Sequence, residues 1–489
     1  EKKLKKIENI IQANSEQEIS TFDLLKEIVS ISIPTTLFFA CLYIQQLINL
    51  AFISSTYEGQ EKDNAIDAIG ISHLYINCTL ISIVVGFLAA FEILGGNAWG
   101  IGNYKLLGVY YHRAQMVGLS IAGTVTVIHL FTATKVLALF NLSDDVVDLI
   151  DSYIKIAIFI GLFDMQWSLN YRFISIIKKS HVNLMILFVA MALHPFWCYL
   201  FIIVFEWKVV GGAAALVLSQ AINAGAGSIY ITLIKPLPES VFCYNKDSLS
   251  LSGLYSYLKL GLPNATVICA EWWAFELLAL IALWCSSNDY TAHIIVNNIY
   301  QVIWTCVIGN LVASGIIVSR YLSEGKEKTS KKLMVILTVS NLILCVSVCC
   351  IVASFRHKII SIFKEDTGEV YAKATETMVI LIFCVATNSL EAIFSSFCRA
   401  LRLEKIASII AISNFYIIIG GLACYLAKFQ EHGVAGIWLS IALGCTVASI
   451  VYIVLLSRVS VKEQIKVTLL SLGNDDDEIE KAKEDKEIS

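Results

Sequence analysis

The chain has 489 residues, 57 % of them apolar and 16 % charged, with a mean hydropathy of +0.71; soluble domains run nearer about 45–50 % and about 25 %. That composition excludes a disordered chain, a disulfide-stapled secreted module and a nucleic-acid binder. The net charge of −4 describes a nearly neutral body with an acidic end, because the last 16 residues hold eight acidic residues and three lysines.

Residues 1–27 are charged and polar and read as a cytoplasmic segment; the apolar run behind them is too long for a signal-peptide h-region. Apolar runs long enough to span a bilayer follow. Six of them, 28–55, 66–93, 107–134, 149–172, 182–205 and 210–234, form an N-lobe over 28–234. A polar linker at 235–252 opens with Lys235-Pro236-Leu237-Pro238. A C-lobe over 253–457 then carries spans at 254–284, 290–318, 332–354, 373–397, 406–428 and 433–457. Residues 458–489 read as a solvated acidic cytoplasmic tail. Lipid requires internally satisfied backbone groups and no alternating strands are visible, so the spans are helices. The fold class is an all-α polytopic membrane protein with twelve transmembrane helices.

Orientation follows from the basic residues. With the N-terminus in the cytoplasm, 27 of the 36 Lys and Arg fall on that side, so both termini and the linker are expected there. An internal duplication is also visible. Ile33-Pro34 matches Leu262-Pro263, Gly102 to Lys105 matches Gly325 to Lys328, Arg172 with Lys178-Lys179 matches Arg399 with Lys405, and Val209 to Gly212 matches Gly433 to Gly436, all at shifts of 223 to 229. Six spans per half make this a parallel repeat of two pseudo-symmetric six-helix lobes, an architecture in which transporters bind substrate near the midplane.

Ionisable groups at membrane depth mark function by default. The candidates are Glu92, Asp164, Glu271, Glu276 and Glu391. Glu92, near a span end, reads as a hydrogen-bonded structural group, and Asp164 is eight residues from a possible partner, Arg172. Glu271 and Glu276 share span 7, about 140° apart on a helix, and carry the expectation of proton uptake, with Glu391 as a third member. Trp272, Trp273 and Phe275 interleave with the span 7 pair, and Tyr300 and Trp304 share a face of span 8. Carboxylates beside aromatic faces suit organic cations. The cysteines sit mostly inside apolar runs, where Cys packs as a small hydrophobe. No Walker motif, catalytic triad or metal-ligand spacing appears, so neither an enzyme nor a metal site is expected. Asn141-Leu142-Ser143 fits a glycosylation sequon close to span 3.

At these residues the chain resembles the multidrug and toxic compound extrusion (MATE) family of the MOP superfamily, in its eukaryotic branch. The resemblance rests on Leu258-Lys-Leu-Gly-Leu-Pro-Asn-Ala-Thr-Val-Ile-Cys-Ala-Glu271-Trp-Trp-Ala-Phe-Glu276. Glu92-Ile-Leu-Gly-Gly-Asn-Ala-Trp-Gly, Tyr171-Arg172-Phe173, and Leu390-Glu391-Ala392-Ile393 followed by Arg399 support it. It implies two lobes around a central cavity that opens alternately to either side. It also implies export of organic cations or secondary metabolites from the bilayer-embedded protein in exchange for H⁺ rather than Na⁺, with no other cofactor. The resemblance places substrate and proton binding on Glu271, Glu276 and Glu391, with Asn298 at the helix 8 position; the aromatics Trp272, Trp273, Tyr300 and Trp304, and Gln46 of span 1, complete the candidate substrate and proton site. Asn298 stands where animal members carry an acidic residue, and span 1 offers only Gln45, Gln46 and Asn49, so coupling through the first half is not expected. The plasma membrane or a vacuolar or other endomembrane is the expected location, and a monomer the expected state. Two rivals are a flippase-like relative moving lipid-linked anions, which calls for mid-span Arg/Lys that spans 1, 7, 8 and 11 lack, and a transport-dead scaffold.

Overall fold

The computed structural model describes residues 14, 18–138, 143–238, 250–361 and 368–473. The sequon at Asn141, the body of the 235–252 linker and the tail from Asn474 lie outside the described residues. Among the described residues twelve long helical rods follow one another. They are α1 (Thr21–Ser54), α2 (Gly59–Gly100), α3 (Tyr104–Ala138), α4 (Asp144–Ala157 and Ile160–Ile176), α5 (Ser180–Val204) and α6 (Lys208–Ile234), then α7 (Leu251–Cys285), α8 (Ser287–Ser323), α9 (Glu327–Ser354), α10 (Glu369–Ala400), α11 (Glu404–Phe429) and α12 (Gly433–Arg458). Eleven of them are long and apolar enough to cross a membrane as unbroken helices. The fourth expected span is the exception. It is interrupted at Ile158 and Phe159, where Phe159 N bonds Ile156 O and Leu162 N bonds Phe159 O, a tighter turn than the α-helical ladder.

The rods outrun the apolar runs read from sequence, because polar turns continue the helices beyond the apolar core. At 35 residues, α3 and α7 rise about 52 Å. Two elements escaped the hydropathy reading. A short helix, Arg356–Ser361, follows α9. A second, α13 over residues 461–473, occupies the start of the segment read as tail; Val461, Ile465, Thr468, Leu469 and Leu472 are buried on one face, and Arg402 donates to Ser471 Oγ at 2.8 Å.

The internal repeat recurs in backbone conformation. Non-helical turns place Gly102 (φ 72°) and Gly325 (φ 76°) in the left-handed region, where glycine has no Cβ penalty. Lys178 and Arg402 both take φ 62°, and Glu206 and Glu431 take 57° and 59°. Ahead of the last pair, π-helical turns at Tyr199–Val204 and Cys424–Phe429 end α5 and α11 with the same bonds, Phe205 N to Leu200 O and Gln430 N to Tyr425 O. Gly211 and Gly436 then pack flat on those turns: a Cβ would come within 2.7 Å of Phe201 O in one and 2.8 Å of Ala427 N in the other. These pairs are 223 to 225 residues apart, within the interval of the sequence repeat.

The chain condenses into two units. The first holds residues 37–95 and 103–265, and the second the described parts of 1–36, 96–102 and 266–489. Three of the four cuts fall inside α1, α2 and α7, the fourth in the turn after α2, and none at the 235–252 linker, because these long helices have different packing partners at their two ends. In the first unit the start of α7 is seated by Tyr257 Oη donating to Phe87 O at 2.8 Å. In the second unit the start of α1 is held by Glu27, which pairs with Arg320 and accepts from Tyr321 Oη at 2.7 Å. Ahead of it Lys332 meets Glu18 at 2.8 Å.

Candidate functional site

In the second unit α7, α8, α10 and α12 bring one polar group into an otherwise apolar setting. Asn388 on α10, fully buried, is its centre. Its Nδ2 donates to Tyr300 Oη at 2.6 Å and reaches Glu271 Oε1 at 3.4 Å, while Cys445 Sγ on α12 donates to its Oδ1 at 3.4 Å. Glu391 lies three residues on, on the same face of α10. It is 2 % exposed, its Oε1 meets no hydrogen-bond donor among the described residues, and it lies in the electrostatic field of Glu271 and Arg399.

Aromatic rings wall one side. Phe275 stacks on Tyr300 (5.1 Å, 22°), Tyr300 stacks on Trp304 (5.7 Å, 21°), and Trp438 of α12 tilts against both Phe275 and Tyr300. His293 leans on Trp438 at 5.6 Å. The arrangement can hold one positive charge, because two carboxylates in each other's field repel less when a cation or a proton shares the site, and the ring faces add attraction for an organic cation. No group of three His, Cys, Asp or Glu among the described residues could hold a metal ion.

The structure thus brings Glu271, Glu391, Tyr300 and Trp304 together and leaves other expected members apart. Glu276, about 140° round α7 from Glu271, is half-buried with no hydrogen bond or ion pair to a described residue, so the like-charged neighbour of Glu271 is Glu391 and not Glu276. Trp272 is half-buried and Trp273 exposed, neither in the ring stack. Asn298 lies about 200° round α8 from Tyr300 and is half-buried. Gln46 belongs to the first unit and is exposed; its neighbour Gln45 is the buried residue, with its carbonyl on His194 Nε2 at 3.1 Å. Asn388 and Trp438 were missed by sequence reasoning. A mid-span amide one turn from Glu391 was a usable signal for the first; an extra Trp in an apolar span carried none.

The first unit handles its charges differently. Arg172 Nε meets Glu92 Oε1 at 2.7 Å, and Arg172 Nη1 donates to Ser168 O at 3.1 Å. Asp164 is buried and feels the charge of Arg172 without an ion pair to it; the eight-residue spacing, a rise of about 12 Å, leaves the guanidinium to Glu92. Beside them Tyr111, Gln115, Gln166 and Asn170 form a network of neutral groups, with Tyr111 Oη donating to Asn170 Oδ1 at 2.6 Å.

The fold and this site define a duplicated, twelve-helix integral membrane protein with an acidic and aromatic cluster in its second half. The MatE family model matches residues 31–200 and 263–426, and the chain belongs to that family. It is similar to Protein DETOXIFICATION 33 of Arabidopsis thaliana, 23 % identical over 83 % of this chain and 83 % of that protein. It is also similar to multidrug and toxin extrusion protein 1 of Danio rerio, 22 % identical over 96 % of this chain and 77 % of that protein. Among solved structures the eukaryotic MATE transporter AtDTX14 superposes with a TM-score of 0.85 at 19 % identity, covering 92 % of this chain and 99 % of that one.

Proposed function

We propose that the chain is a secondary active exporter of organic cations or secondary metabolites, working by H⁺ antiport with alternating access. The observation that carries the reading is the Glu271–Asn388–Tyr300 group with Glu391 one turn away: a half-buried and a buried carboxylate whose hydrogen-bond partners are neutral, with Arg399 felt only through its field. A cation and a proton compete there for one negative charge. Proton entry from the external side removes the attraction and releases the cargo, and proton loss to the cytoplasm restores it. Cation affinity therefore falls as pH falls. The names of the plant and fish relatives, detoxification and multidrug extrusion, support the same cargo class. The proposal keeps both termini in the cytoplasm, a monomer, and the plasma membrane or an endomembrane as its site.

The test is efflux from proteoliposomes with an imposed pH gradient, using tetraethylammonium and larger aromatic cations. Glu271→Gln should reduce gradient-driven efflux at least about tenfold and flatten the pH dependence of cation binding. Wild-type, pH-dependent efflux in that variant would reduce Glu271 to a packing role and remove the proposal.

A further inference from the structure

A cleft of about 420 Å³ runs between α7 and α11 in the second unit. Its walls are Ala274, Leu278, Ile281 and Trp284 on one helix and Phe415 and Gly420 on the other. Gly420 gives it depth: a Cβ there would meet nothing nearer than Phe415 O at 3.7 Å, so the space in front of it is left empty by the chain itself. The cleft is open sideways, with Trp284 54 % exposed although it lines the wall. Along α7 it extends from Ala274 to Trp284, a rise of about 15 Å.

Its chemistry excludes the cargo proposed above. No carboxylate lines it, and Trp284 lies about 180° round α7 from Phe275, away from the ring stack. Of the charged groups near its Trp284 end, Asp289 is paired with Lys373 at 3.0 Å, and the group that touches the cleft wall is basic. Lys428 donates from Nζ to Trp284 O at 2.8 Å, sits 5.5 Å from the centre of the Trp284 ring, and makes no ion pair with a described carboxylate. Two of its three N–H donors are left for another acceptor. An apolar slot of this size, with Leu277, Leu280 and Trp284 exposed along it and ended by an ammonium group and an aromatic ring, matches an amphiphile with a long tail and a phosphate in its head.

We infer that the α7–α11 cleft holds one acyl chain of a glycerophospholipid, with its phosphate at Lys428. The chain fills a void that would otherwise leave its lining without dispersion partners. It also backs α7 from the side opposite Phe275.

The experiment uses the full chain in nanodiscs doped with a phosphatidylcholine bearing a photoactivatable acyl chain, with cross-links mapped by mass spectrometry. The expected result is labelling of α7 and α11 peptides several-fold above the lipid-facing parts of α9 and α12. Gly420→Leu fills the cleft from α11 and Leu278→Trp from α7; each should bring that labelling to the general level, and the pair guards against one variant failing to fold. Lys428→Gln should cut phosphatidylcholine labelling several-fold and leave a photoactivatable sterol unaffected. Even labelling of all lipid-facing helices, or labelling that survives both filling variants, would show annular lipid only and overturn the inference. Preferential labelling by the sterol, or indifference to Lys428→Gln, would overturn the phospholipid assignment.

Discussion

The two units bury carboxylates in opposite ways. In the first, Glu92 is closed by Arg172 at 2.7 Å, and the surrounding polar groups are amides and a phenol already bonded to one another. In the second, Glu271 is faced by an amide at 3.4 Å, and Glu391 leaves an oxygen without a donor among the described residues. The duplication sharpens the contrast. Asp164 and Arg172 stand 227 residues before Glu391 and Arg399, yet the arginine of the first pair is taken by a carboxylate on α2. A buried carboxylate bonded to a fixed counter-charge ties helices together; one whose hydrogen-bond partners are neutral, with Arg399 acting through its field and not through an ion pair, keeps its negative charge available for a mobile partner. Burial alone does not distinguish the two.

The contrast can be broken at several points. The largest effect should separate the repeat-related acids: Glu391→Gln should lower gradient-driven efflux at least about tenfold, and Asp164→Asn less than about threefold, in the same proteoliposome assay. Equal losses would mean that both halves couple. Next, Arg172→Met should destabilise the protein by about 3–5 kcal/mol, because it strands Glu92 in the interior, whereas Glu92→Gln with Arg172→Met should recover most of the melting temperature. No recovery would show that the pair is not the structural unit described.

A matched pair of variants tests the repeat itself. Gly211→Ala and Gly436→Ala each push a methyl into the backbone of the preceding turn, so each should cost about 1–3 kcal/mol and lower the thermal midpoint to a similar degree; a loss confined to one would mean that the two turns are not equivalent. The smallest effect is expected at Glu18. Its contact with Lys332 holds the carboxyl below the usual range, chiefly through the hydrogen bond. The stabilisation is therefore present above the ordinary carboxylate range and fades as pH falls through the lowered value. Because the pair is exposed, Glu18→Gln should leave the midpoint at neutral pH within measurement scatter; a clear drop would show that the N-terminal segment bears on the fold.

The architecture was legible because lipid makes backbone satisfaction and apolar length compulsory, and both can be read residue by residue. The repeat was legible through turn residues whose conformation is unusual, such as Gly102 and Gly325. What escaped depends on tertiary neighbours. The interruption at Ile158 and Phe159 has no proline or glycine at its centre to announce it. Helix α13 is amphipathic, with Val461 and Ile465 spaced for one buried face, and was hidden by the acidic residues behind it. At the site, helix periodicity correctly placed Tyr300 and Trp304 together and Glu271 and Glu276 apart. It could not say which helix would face Glu271, and so the partnership with Asn388 and Glu391 went unread.

The interruption in α4 bears on parity. Its two pieces, of 14 and 17 residues, are each shorter than a full span of about 20 residues, and the unbroken helices long enough to cross number eleven among the described residues. An odd number would put the chain ends in different compartments, and a unit of five crossings copied in tandem would come out upside down in its second copy. With the broken rod counted, each copy of the repeat holds six rods, an even number. An even count per copy is what the proposed topology, with both ends in the cytoplasm, requires: on that proposal reporters fused to either end of the chain sense the same compartment.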